Sequence, residues 1–108
     1  MADKDTTVEQ TTKKEPCYVH KFRKPFEWES KSYETLNFYF EKLTGQDLID
    51  VEREMNAQGD IALEASTSLV FQCKIAARAA DIGSDVLMKM PAKEFNRICG
   101  RTQRFLLT

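Results

Sequence analysis

The chain has 108 residues, 42% hydrophobic and 31% charged, with 16 Lys and Arg against 17 Asp and Glu and a net charge of -1. That length suits one domain, and the near-neutral balance excludes an overall positive field that would steer the molecule to nucleic acid or to an acidic membrane. Three scattered cysteines (Cys17, Cys73, Cys99), no C-x-x-C pair and one histidine, His20, exclude an ordinary structural zinc site and read as reduced thiols.

Residues Met1 to Pro16 are rich in Thr, Lys and acids, with Val8 their only internal large apolar side chain. Such a segment buries too little surface to offset its ordering entropy, so a disordered tail over 1–16 is expected. It carries no apolar core of a secretory signal, and no stretch approaches the roughly 20 apolar residues of a membrane span. A soluble protein that stays in the compartment where it is made is expected, with residues 17–108 as a single α+β domain.

From about 18 to 40 an alternating, aromatic-rich pattern predicts a β-hairpin, with Phe26 and Trp28 on one face and Leu36, Phe38 and Phe40 on one face of the return strand. The polar run Glu29-Ser30-Lys31-Ser32 is the expected turn, and Pro25 places the first strand at an edge or a bulge. An isolated two-stranded ribbon is marginal in water, so about three helices must supply a surface for it.

Thr44-Gly45-Gln46-Asp47 has the form of a capping box and starts a helix over about 45–58. Leu48, Val51 and Met55 form its apolar stripe, Asp47, Asp50 and Glu54 an acidic stripe read as nearly opposite, and Gly59 its stop. A second helix is expected over 61–82, ended by Gly83. It has two apolar sides: Ala62, Leu69, Cys73, Ala76 and Ala80 on one, Phe71, Ile75 and Ile82 on the other. A helix apolar on two sides is expected between layers, the hairpin on one side and the last helix on the other, unless one face is left for a partner. Residues 84–90 read as a connection, and Pro91 suits the first turn of a last helix over 91–107. That helix sets Phe95, Ile98, Cys99, Phe105 and Leu106 against a basic stripe of Lys93, Arg97, Arg101 and Arg104.

No phosphate loop, nucleophile elbow, zinc-protease motif or His/Cys/Asp cluster occurs in the sequence. No catalytic, cofactor or metal site is therefore expected, and His20 has no partner close to it in sequence. The basic stripe reads first as a solvated face, since no aromatics interleave with it as a single-strand platform requires. Candidate partner contacts are Phe71, Ile75, Ile82, Phe105 and Leu106. Candidate charge pairs between copies join Asp47, Asp50 and Glu54 to Lys93, Arg97 and Arg101.

In order, Phe26-Glu-Trp-Glu-Ser-Lys-Ser-Tyr33, Leu36-Asn-Phe-Tyr-Phe40 and Lys42-Leu-Thr-Gly-Gln-Asp-Leu-Ile49 resemble the opening of the tail assembly chaperones of Mu-like phages and related prophages. The resemblance continues through Ile75-Ala-Ala-Arg-Ala-Ala80 and Met90-Pro-Ala-Lys-Glu-Phe95, covering roughly Phe22 to Leu107. It implies a protein of the host bacterial cytoplasm, not retained in the mature virion, that binds the tape measure protein and helps recruit the tail tube protein. A homo-oligomer along the client fits this reading, with no membrane and no nucleic acid involved. The alternatives are a structural tail component and a small nucleic-acid-binding regulator using the basic last helix.

Overall fold

The computed structural model describes residues 15–60 and 68–107. The expected tail up to residue 14, the expected start of the second helix (61–67, with Ala62) and residue 108 lie outside them. The fold is α+β: an antiparallel hairpin of β1 (Tyr18–Trp28) and β2 (Lys31–Phe38), then α1 (Gly45–Ala57), α2 (Leu69–Ala80), α3 (Ser84–Met88) and α4 (Ala92–Leu107).

The hairpin pairs Tyr18 with Phe38, His20 with Leu36, Phe26 with Tyr33 and Trp28 with Lys31. Its turn is shorter than expected: Glu29 and Ser30 alone make it, with φ of 46° and 70°. Two consecutive left-handed residues match the right-handed twist of the strands, which is why so short a loop closes here. The register shifts between Lys21 and Phe26, so Phe22 to Pro25 face only Glu34 across the ribbon. Pro25 therefore sits in a bulge, where its missing N–H leaves no ladder bond unmade. Period-2 alternation turns Leu36 and Phe38 inward, and Phe40 follows them from a 3-10 turn (Phe40–Lys42), not from the strand. Phe38 and Phe40 stack at 5.9 Å between ring centroids, and Phe40 stacks on Phe105 of α4 at 5.1 Å.

The core has two parts, with α2 between them. Cys73, Ala76, Ala77 and Ala79 of α2 meet Leu36 and Phe38 of β2, Val86 and Leu87 of α3 and Ile98 and Cys99 of α4. Small side chains on α2 let both the hairpin and α4 approach on the same side. Phe71 and Ile75 of α2 form a second cluster with Val51 and Met55 of α1, flanked by Leu48, Val70 and Leu106. Helix α2 is thus interlayer, as its two apolar sides require, but its second face meets chiefly α1, with Leu106 of the last helix at its edge. Leu69, assigned to the first apolar face, is 55% exposed at the start of α2.

Chain punctuation differs in two places. Helix α2 ends at Asp81, which takes the left-handed conformation at φ 60°, and not at Gly83. Gly83 instead precedes α3, the helical turn formed by residues read as a connection. A Cβ there would meet only the Asp85 carboxylate, a side-chain end that can turn aside. Pro91 lies just outside α4, and its carbonyl accepts the Phe95 N–H at 3.0 Å. Gly59, at φ 84°, follows α1 as expected.

Candidate functional site

The residues singled out as partner contacts are largely committed to the core. Phe71 is 5% exposed and Ile75 is fully buried in the second cluster, so neither is available to a partner. Ile82 and Phe105 are half-buried against the first cluster, and Leu106 is half-buried against the second. The reason is geometric: an interlayer helix presents its second apolar side to a neighbouring layer, and α1 fills that place.

The acidic stripe is likewise engaged within the chain. Asp47 accepts from the Arg78 guanidinium at 2.8 Å, Asp50 lies 4.0 Å from the same group, and Glu54 accepts from Lys74 Nζ at 2.9 Å. At about 100° per residue, Asp47, Asp50 and Glu54 lie beside Val51 and Met55 on the wheel and not opposite them, so they border the α1–α2 contact. Lys74 is 5% exposed yet ion-paired, as a buried ammonium must be. The Thr44 N–H and then Arg78 hold the Asp47 carboxyl below the usual aspartate range. The same Thr44 N–H, bonded to Asp47 at 2.8 Å, is the reciprocal arm of the helix-start motif.

His20, expected to have no partner close to it in sequence, has two: Tyr18, only two residues before it, and Glu94 from the last helix. Its ring is fully buried; Nε2 lies 2.6 Å from Oε1 of Glu94 on α4, and Nδ1 lies 2.7 Å from the Tyr18 hydroxyl. Burial pushes the imidazole below its ordinary 6.5, with Arg97 adding to the effect, against the pull of Glu94. Burial also pushes the Glu94 carboxyl up, but hydrogen bonds from His20 and the Arg23 N–H, with the charge of Arg97, hold it below its ordinary value. Near neutral pH the pair is therefore a neutral imidazole donating from Nε2 to a carboxylate, with Nδ1 accepting from Tyr18 O–H. A signal for this was present: Glu94 lies one helical turn before Ile98, on the apolar side of α4.

Tyr18 carries this network to the surface, where the basic stripe acquires a second wall. Tyr18 and Lys21 of β1 and Arg97, Gly100, Arg101 and Arg104 of α4 line an open hollow of about 520 Å³, together with Val19. The Arg101 guanidinium lies over the Tyr18 ring, 4.6 Å from its centroid. Among the described residues no carboxylate lines the hollow, and none forms an ion pair with Lys21, Arg97 or Arg101. Lys93, assigned to the same stripe, lies outside the lining.

Among the described residues no group of three His, Cys, Asp or Glu could hold a metal ion. No helix among them is long and apolar enough to cross a membrane. Comparison with known proteins adds no relative: no family model, no curated protein and no solved structure matches the chain.

Proposed function

We propose that the protein is a tail assembly chaperone that binds the tape measure protein through the apolar margin of its second core cluster and assists assembly of the tail tube. The observation that carries the reading is the composition of that margin. Leu48, Val70 and Leu106, from three different helices, are half-buried around the cluster. Each has an exposed apolar chain neighbour: Ile49 at 45%, Leu69 at 55% and Leu107 at 62%. Single exposed leucines are ordinary, but three adjacent apolar pairs around one cluster suit an apolar stripe of an extended helical client. Of the segments that carry the resemblance, the start of α1 with Leu48 and the stretch of α2 that begins at Ile75 lie at this cluster, whereas the hairpin, Phe38 and Phe40 pack in the first.

In this reading the protein acts in the host bacterial cytoplasm, several copies cover the client, and tube subunits later displace them. The test is co-expression with a tape measure protein from the same tail gene cluster. The client should stay in the supernatant and copurify, and the double variant Ile49→Glu/Leu69→Glu should fold normally yet release it. A tape measure protein equally dispersed alone, with nothing copurifying, refutes the proposal. Retention of the protein in purified virions would instead favour a structural tail component.

A further inference from the structure

We propose that the hollow between β1 and α4 binds the phosphate group of a small phosphorylated molecule of about nucleotide size, an assignment independent of the client reading. Lys21 comes from the strand, and Arg97 and Arg101 stand one turn apart on the helix. Among the described residues none of the three has an ion pair. Arg104, at the same hollow, already interacts with another group, and the site does not depend on it. Side chains one helical turn apart lie about 5–6 Å from each other at Cβ, and two like charges so placed repel. A dianion seated between them reverses that cost.

The directions of the donors select the anion. A carboxylate has two oxygens in one plane and is satisfied by a single guanidinium fork. A phosphate monoester points three terminal oxygens in different directions, so it accepts at once from two guanidinium groups on one wall and an ammonium on the other. Arginine suits the forked contacts and lysine the point charge. Gly100 lies between the two arginines, and a Cβ there would meet nothing within 4 Å, so the floor is open. The hollow, about 520 Å³, has the size of a small-molecule site, roughly 300–1,000 Å³. Val19, 43% exposed at its margin, offers apolar contact to the rest of such a molecule.

The site is held from the core outward. Arg101 rests on Tyr18, the Tyr18 hydroxyl donates to the fully buried His20, and His20 donates to Glu94 on the helix that bears Arg101. A guanidinium so placed loses less freedom on binding than a solvated one does. Arg97 acts by its charge on both His20 and Glu94 and favours the unprotonated form of each. An anion beside Arg97 offsets that effect, so an occupied hollow lets His20 take up a proton at higher pH. His20 is the one histidine of the chain, so its ring signals are read without overlap.

The test is a nuclear magnetic resonance titration of His20 in the full chain at constant ionic strength. The probes are inorganic phosphate, adenosine monophosphate, glutarate (a dicarboxylate of similar charge) and a single-stranded hexanucleotide. Phosphate and adenosine monophosphate should move the His20 signals saturably and raise the pH at which they titrate, and glutarate should bind about tenfold more weakly. Arg101→Gln should lose about tenfold in affinity for adenosine monophosphate, and Lys89→Gln, an exposed cation outside the hollow, should stay within about twofold. Gly100→Glu puts a carboxylate on the open floor, so it should keep the helical circular dichroism and lose about tenfold as well. The assignment is overturned if neither phosphate nor adenosine monophosphate gives a saturable shift, or if glutarate binds as tightly as phosphate. It is also overturned if folded Gly100→Glu binds unchanged, or if Lys89→Gln costs as much as Arg101→Gln. A hexanucleotide that binds over about a hundredfold tighter than adenosine monophosphate would assign the hollow to a polynucleotide backbone and equally overturn the small-ligand assignment.

Discussion

The pair His20–Glu94 joins the hairpin to the last helix across 74 positions of sequence, and a double-mutant cycle measures what it contributes. In His20→Leu the Glu94 carboxylate, 8% exposed in its side chain, loses its donor and stays enclosed. Leaving a buried carboxylate without the donor that satisfied it costs about 3 kcal/mol. In Glu94→Leu a neutral imidazole N–H and the Arg23 N–H, 3.3 Å from the carboxylate, lose their acceptor, for about 2 kcal/mol. For a domain of this size each kcal/mol is worth about 4–8 °C of melting temperature, so the variants should melt about 12 °C and about 8 °C low at the least. Replacing both partners leaves no orphaned charge or donor, so His20→Leu/Glu94→Leu should be more stable than the sum of the singles by about 1.5 kcal/mol or more. Urea unfolding followed through Trp28 fluorescence, near pH 7, reads all four corners. Additivity within about 0.5 kcal/mol would show that the hydrogen bond carries no coupling and that the reasoning fails.

The same pair sets an acid limit whose sign follows from two lowered values. His20 resists protonation in the fold, so its contribution is complete above 6.5 and is lost as pH falls through its folded value. Glu94 stabilises above its ordinary 4.5, and that part is lost as pH falls through its own folded value. Stability of the wild type should therefore decline in two steps on acidification, and Glu94→Leu should lack the lower step; an identical acid profile for both proteins would refute the assignment. Burial raises the Cys73 and Cys99 thiols to about 11 and about 12, whereas Cys17 is exposed. Dithionitrobenzoate should titrate one thiol in the folded protein and all three in urea, and rapid reaction of all three without denaturant would contradict the buried placement. At the hairpin turn, Glu29→Asn with Ser30→Gly should raise the urea midpoint by about 1 kcal/mol of stability, because those residues adopt positive φ at little cost. A lowered midpoint would mean that the turn is not held in that conformation.

Much of the fold was legible because it is written in local periods. The alternation around Leu36 and Phe38 marked a strand with one buried face, Pro25 marked an edge or a bulge, and Leu48, Val51 and Met55 marked the apolar stripe of a helix. The two-sided character of α2 announced an interlayer helix before any neighbour was known. Which layer lies on which side was not local information. In sequence Phe71 and Ile75 fit either packing on the last helix or a partner contact, and it is the arrival of α1 that makes them core. Asp47, Asp50 and Glu54 look like a solvated stripe, and only the approach of α2 turns them into partners of Arg78 and Lys74.

The functional surfaces divide along the same line. The cations of the last helix were evident from their spacing, because one helix face is a function of sequence alone. Their gathering with Tyr18 and Lys21, the exclusion of Lys93 and the His20–Glu94 link beneath them depend on β1 lying against α4. What the sequence determined by itself was the period and polarity of each element. The tertiary structure decided which faces met, since long-range contacts form only when the hairpin and helices bury their apolar sides together and bring distant charges into one place.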